Sequence, residues 1–127
     1  MKDVISEEAA REEILLWQDA LEAEVTETEI QAMLPTIMRG RVVFDEEKET
    51  FRVTLRKPIA LENGGEVNYL DIREPDAEEL ENANKVKDEM AMTMRLFAKL
   101  SGQPLGVIRR MKQRDMISIA SIFVFFA

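Results

Sequence analysis

Apolar residues recur along this chain with two different periods, and the switches between them predict its elements. From Ser6 onward the spacing is helical: Ile14, Trp17 and Leu21 share one face, with Leu15 beside them. Ser6 suits an N-cap, and Glu7, Glu8 and Glu12 suit the positive end of a helix dipole. A second helix starts at Thr26 or Thr28, with Glu29 close behind, and carries the stripe Ile30, Met33, Leu34 and Ile37. Pro35 falls inside that stripe, where it is expected to kink the helix or mark its first turn. Gly40 ends the helix as a C-terminal cap.

The period then drops to two. Arg41-Val42-Val43-Phe44 is short and β-prone, and Asp45-Glu46-Glu47-Lys48-Glu49 is a polar connection. Phe51, Val53 and Leu55 alternate with Arg52, Thr54 and Arg56, which predicts a half-buried strand. Pro58 is expected to stop its ladder. Asn63-Gly64-Gly65 is a tight-turn signal, since positive φ costs Asn and Gly little. Val67 to Arg73 is extended again, with Leu70 and Ile72 on one face. The expectation is a three-stranded antiparallel meander over 41–45, 50–57 and 66–73.

Helical spacing returns after Pro75-Asp76. Leu80, Ala83, Val86, Met90, Met94 and Phe97 follow at intervals of three and four, which predicts one long helix ended by Ser101-Gly102. Pro104 opens a short amphipathic helix with Leu105, Ile108 and Met111. Asp115 is expected to cap a final apolar helix over 116–126. The fold class is therefore α+β. A small meander (41–74) lies between an acidic helical N-terminal segment (1–40) and three C-terminal helices (75–127), in a single domain of 127 residues.

Charge narrows the function. The formal net charge is -8, but residues 1–50 carry 14 acidic and 5 basic side chains, whereas residues 51–127 carry 11 and 12. The acidic half should repel nucleic acid and anionic membrane and attract basic protein surfaces. With no cysteine and no histidine, the chain lacks a disulfide framework, a thiolate metal site and the usual general base. The clusters Glu7-Glu8, Glu12-Glu13 and Asp45-Glu46-Glu47 lack the spacing of a calcium loop and suit a solvated face. These features point to a non-enzymatic protein without a cofactor. The N-terminal stretch has no apolar signal core and the apolar C-terminal run is too short to span a bilayer, so a cytoplasmic, soluble protein is expected.

Two further features suggest protein binding. Residues 116–127 are uncharged, and such a run must be buried in the chain's own core or against a partner. Methionine is frequent, with Met90, Met92 and Met94 nearly consecutive; flexible thioethers suit adaptable surfaces, although ordinary core filling is the stronger reading. The basic cluster Arg109, Arg110, Lys112 and Arg114 has no interleaved aromatic residues. A solvated face or a contact with acidic residues of another copy suits it better than nucleic acid.

The second half also resembles a known family. It reads Leu55-Arg56-Lys57-Pro58-Ile59, then Leu70-Asp71-Ile72-Arg73-Glu74-Pro75-Asp76-Ala77-Glu78-Glu79-Leu80. Next come Leu96-Phe97-Ala98-Lys99-Leu100-Ser101-Gly102-Gln103-Pro104, Val107-Ile108-Arg109-Arg110-Met111 and Asp115. In order and spacing, over about residues 51–127, this resembles the phage tail assembly chaperones of the E/41/14 type, although Glu78 stands where that family often has a small residue. The resemblance implies a non-enzymatic protein of the bacterial host cytoplasm. Such a protein binds the tape measure protein, helps recruit tail tube subunits and is absent from the finished virion. The alternative is a structural tail or head–tail connector subunit. A tape measure protein is long and helical, so the expected site is a groove for an amphipathic helix. Met90, Met94 and Phe97 from the long helix and Ile119, Ile122, Phe123 and Phe126 from the last one are its expected lining. The same residues also suit the chain's own core, Met90 and Ile119 above all. Self-association is expected head to tail, with Arg109, Arg110, Lys112 and Arg114 against the acidic first 50 residues of another copy.

Overall fold

Local capping chemistry sets the first two helices. In α1 (Glu7–Leu21) the Ser6 hydroxyl accepts the Ala9 amide at 3.1 Å. In α2 (Glu27–Met38) Thr26 and Glu29 form a reciprocal capping box. Arg11 ties the two together, donating to Glu7 one turn away and to both oxygens of Glu27. Pro35 neither breaks α2 nor marks its first turn. It sits inside the helix with Gln31, four residues earlier, also exposed, so the carbonyl that loses its donor faces water. Gly40, at φ 71°, closes α2: the Arg41 amide reaches the Thr36 carbonyl at 3.1 Å and the Gly40 amide reaches Ile37 at 2.9 Å. Glu22 does the same for α1 at φ 53°, a conformation in which a side chain is strained. The structure, a computed structural model, describes residues 3–126; Met1 and Lys2 of the charged N-terminal stretch and Ala127 of the uncharged run lie outside the described residues.

The expected meander is present. Strands β1 (Val42–Asp45), β2 (Thr50–Ala60) and β3 (Glu66–Arg73) form an antiparallel sheet in that order. Phe51, Val53, Leu55, Leu70 and Ile72 face the helices and are buried. The other face is open, and there Arg52 forms a bidentate pair with Asp71 at 2.8 and 3.0 Å and lies 3.9 Å over the Tyr69 ring. Pro58 does not end β2. Pairing resumes beyond it, from Thr54 opposite Tyr69 to Ile59 opposite Val67, five residues along one strand against two along the other. The surplus bulges, and a bulge tolerates a residue without an amide hydrogen.

The C-terminal third differs most from expectation. The continuous helix over 76–100 is two helices, α3 (Ala77–Asn84) and α4 (Glu89–Ser101). Asp76 and Glu79 form a capping box on α3, and Asp88 caps α4 by accepting the Ala91 amide at 2.9 Å. The apolar spacing runs through the break, but Asn82, Asn84 and Asp88 offer the backbone alternatives to helix. A short α5 (Leu105–Ile108) leads to α6 (Gln113–Ser121), and a 3-10 segment (Ile122–Phe126) follows. Four α-helices and a 3-10 turn therefore stand where three helices were expected. Asp115 is not the cap of the last helix. It lies inside the first turn of α6, while Lys112 holds the N-cap position without a side-chain bond.

One buried cluster draws on every region, from Ala10, Ile14 and Trp17 through Met33, Ile37, Phe51 and Ile72 to Phe97, Ile119, Ile122 and Phe125. Trp17 meets Phe51 and Phe125 edge-on at 5.3 and 5.7 Å. Replacing Glu22 with Gly removes strain at a left-handed position whose closing bonds are made by the backbone. Glu22→Gly is expected to stabilise the protein by about 0.5 kcal/mol after the entropy cost of Gly, as a small rise in thermal midpoint.

Candidate partner-binding surface

The C-terminal segment is positioned by a contact that its sequence hides. In the bulge of β2 the Arg56 and Lys57 amides have no partner strand, and both donate to Asp115, at 2.7 Å to Oδ1 and 3.1 Å to Oδ2. Asp115 is 3% exposed, the one buried charged side chain among the described residues. Burying a carboxylate is costly unless its oxygens are hydrogen-bonded, and two backbone amides meet that requirement. Ile119 and Ile122 then fall one and two turns on, directly beneath the sheet.

This docking decides where the expected partner-binding residues lie. Phe97, Ile119 and Ile122 are buried in the chain's own core. Phe123 and Phe126 are partly buried: Phe123 meets Phe97 at 5.3 Å, and Phe126 meets Phe51 at 5.7 Å. Met94 is partly buried and Met90 is 57% exposed. The seven residues do not line one groove. The buried Phe125, outside that set, joins Trp17 and Phe51; its spacing of three from Ile122 and six from Ile119 was the available signal.

Exposed apolar side chains are spread over the surface, with Leu15 and Leu16 on α1, Val43 on β1, Ile117 on α6, and Leu80 and Met90 on α3 and α4, but α3 and α4 also enclose a cleft between them. Helix α3 buries no residue, and its Leu80 is 44% exposed. A cleft of about 270 Å³ runs between the two helices, lined by Ala83, Val86 and Leu96 with Glu79, Arg95 and Lys99 at its edges. A more open cleft of about 630 Å³ follows along α4, past Arg73, Arg95 and Lys99 to Pro104 and Leu105. Helix α3 is held to the sheet by charge: Arg73 donates to both Glu79 oxygens at 2.7 and 2.5 Å, and Glu79 also caps the helix through the Asp76 amide. The Arg73 guanidinium, with help from that amide, holds the Glu79 carboxyl at about 2, below its ordinary 4.5.

The basic residues also separate. Arg109 and Lys112 are exposed. Arg110 reaches back to the Ala60 carbonyl at 2.8 Å and lies 3.8 Å from Glu62. Arg114 faces a different cleft, shared with Arg39, Arg41 and Arg56. Among the described residues no three acidic side chains are placed to hold a metal ion, and no helix is long and apolar enough to cross a membrane.

The family described as phage tail assembly chaperone proteins, E, or 41 or 14, matches residues 52–127, and the chain belongs to it. This is a chaperone-type phage family rather than an enzyme family. No curated protein and no solved structure matches the chain.

Asp115→Ala leaves two amides unpaired at a buried site and should lower unfolding free energy by about 3 kcal/mol, with Asp115→Asn losing less because one acceptor remains. Chemical denaturation measures both. Because the folded-state pKa of Glu79 is depressed, its contribution is complete above the ordinary carboxylate value and is lost as pH falls from there towards 2. The protection factors of α3 amides, which compare exchange with its intrinsic rate at each pH, should therefore fall over that acid range, and Glu79→Gln should lower them at neutral pH and remove this part of the pH dependence.

Proposed function

We propose that this tail assembly chaperone binds the helical tape measure protein in the host cytoplasm, helps bring tail tube subunits to it, and leaves before the virion is complete. The observation that carries the reading is the cleft between α3 and α4, lined by Ala83, Val86 and Leu96 together with Glu79, Arg95 and Lys99, on two helices that also expose Leu80 and Met90. An amphipathic helix fits such a surface, its apolar stripe on the floor and its polar flanks against Glu79, Arg95 and Lys99. Of the residues expected from sequence, Met90 is exposed on α4, whereas Met94, Phe123 and Phe126 pack against the core and Phe97, Ile119 and Ile122 lie in it.

Self-association belongs to the same reading, since a chaperone that coats a long helix acts as many copies. Positive charge on one copy then lies opposite the acidic first half of a neighbour.

Leu80→Asp and Met90→Asp, at exposed positions, should change stability by less than about 0.5 kcal/mol and should abolish co-purification with the tape measure protein. Retained binding in folded variants would place the recognition surface elsewhere. Phe126→Asp should lower stability itself, because its ring packs on Phe51. Mass spectrometry of purified particles separates the chaperone from a structural tail or connector subunit, which would remain in them.

A further inference from the structure

The arginine-lined cleft has a composition at odds with an acidic chain. Arg39 follows α2, Arg41 precedes β1, Arg56 lies in the bulge of β2 and Arg114 in the first turn of α6; all four line one space of about 200 Å³. Among the described residues Arg39, Arg56 and Arg114 have no carboxylate within ion-pair distance. Asp115, which also borders the cleft, is committed to the Arg56 and Lys57 amides. The Thr36 and Ser118 hydroxyls meet across the same space at 3.4 Å, and Ile117 is exposed beside it. Such a cleft presents several charged donors to carboxylates and an apolar contact beside them.

The chain carries a matching group. The β1–β2 turn holds Asp45, Glu46, Glu47 and Glu49 within five residues, all exposed. Asp45 accepts the Lys48 amide at 3.1 Å and shapes the turn, while among the described residues Glu46, Glu47 and Glu49 make no ion pair. Arg41 precedes β1 and the turn follows it, so four residues of strand, about 13 Å, hold them apart within one copy. Resting on the self-association reading above, we infer that the cleft of Arg39, Arg41, Arg56 and Arg114 receives the Asp45–Glu49 turn of a second copy. The contact is heterologous, so each copy offers one cleft and one turn, and repetition gives a ring or an open spiral. It moves the basic pole of the expected contact away from Arg109, Arg110 and Lys112 and keeps Arg114.

Charge exchange tests this in the full chain. Light scattering of the wild type should show assembly near 0.01 M salt that disappears towards 1 M, where screening shrinks to about 3 Å. Glu46→Lys with Glu47→Lys should weaken assembly by about tenfold or more, as should Arg39→Glu with Arg114→Glu, while circular dichroism stays unchanged. Mixing the two variants should restore assembly, because the reversed cleft of one accepts the reversed turn of the other, and the two unaltered parts also match. A wild type that stays monomeric at low salt overturns both this inference and the self-association reading. A wild type that assembles together with variants that assemble equally well overturns the cleft–turn contact alone, as does a mixture of two monomeric variants that remains monomeric. If the reversed cleft loses its fold, Arg39→Gln with Arg114→Gln must dissociate the oligomer, and failure to do so rejects the contact.

Discussion

A single carboxylate holds the two halves of this architecture together. Strand β2 carries surplus residues past Pro58, and the bulge leaves the Arg56 and Lys57 amides without a strand to pair with. Asp115 takes both. That contact fixes the start of α6 against the middle of the sheet, and the rest of the segment follows from helical geometry. Ile119 and Ile122 land on the core face, and the tightening into a 3-10 turn brings Phe125 against both Trp17 and Phe51. The same contact brings Arg56 and Arg114 to the mouth of one cleft.

The region that matches the tail assembly chaperones, residues 52–127, is tied together by contacts between its two ends. Residues 55–59 and Asp115 are nearly sixty residues apart in sequence yet form one hydrogen-bonded unit. Arg73 joins the last strand to α3 through Glu79. The matched region begins at residue 52, inside β2, whereas β1 lies before it and Ile14, Trp17, Met33 and Ile37 fill the same core. The acidic N-terminal segment thus contributes structure that the family pattern does not describe.

What was legible in the sequence was local. Ser6, Thr26 with Glu29, and Gly40 act within a few residues, and the alternation of Phe51, Val53 and Leu55 reports its own burial; each of these is seen in the structure. Long-range partners were not legible. Asp115 has the right type and place for a cap, and its pairing with amides across the sheet leaves no trace in spacing. The break between α3 and α4 was masked because the apolar interval from Ala83 through Val86 to Met90 persists across it. Arg109, Arg110, Lys112 and Arg114 read as one cluster along the chain, but the turn between α5 and α6 sends Arg110 to the end of β2 and Arg114 to another cleft. Glu79 shows both kinds at once: its capping box with Asp76 is local, whereas its pair with Arg73, which anchors α3 to the sheet, is not.

The aromatic contact at the centre of the core has an optical consequence. The chain has one tryptophan, and Trp17 is 4% exposed, edge-on to both Phe51 and Phe125. Its emission therefore comes from a single indole touching α1, the sheet and the C-terminal segment at once. A separation of that segment from the sheet would admit water beside the ring and move the emission to longer wavelength while the helices themselves stayed intact. Docking of the tail can thus be followed by intrinsic fluorescence, without attaching a label.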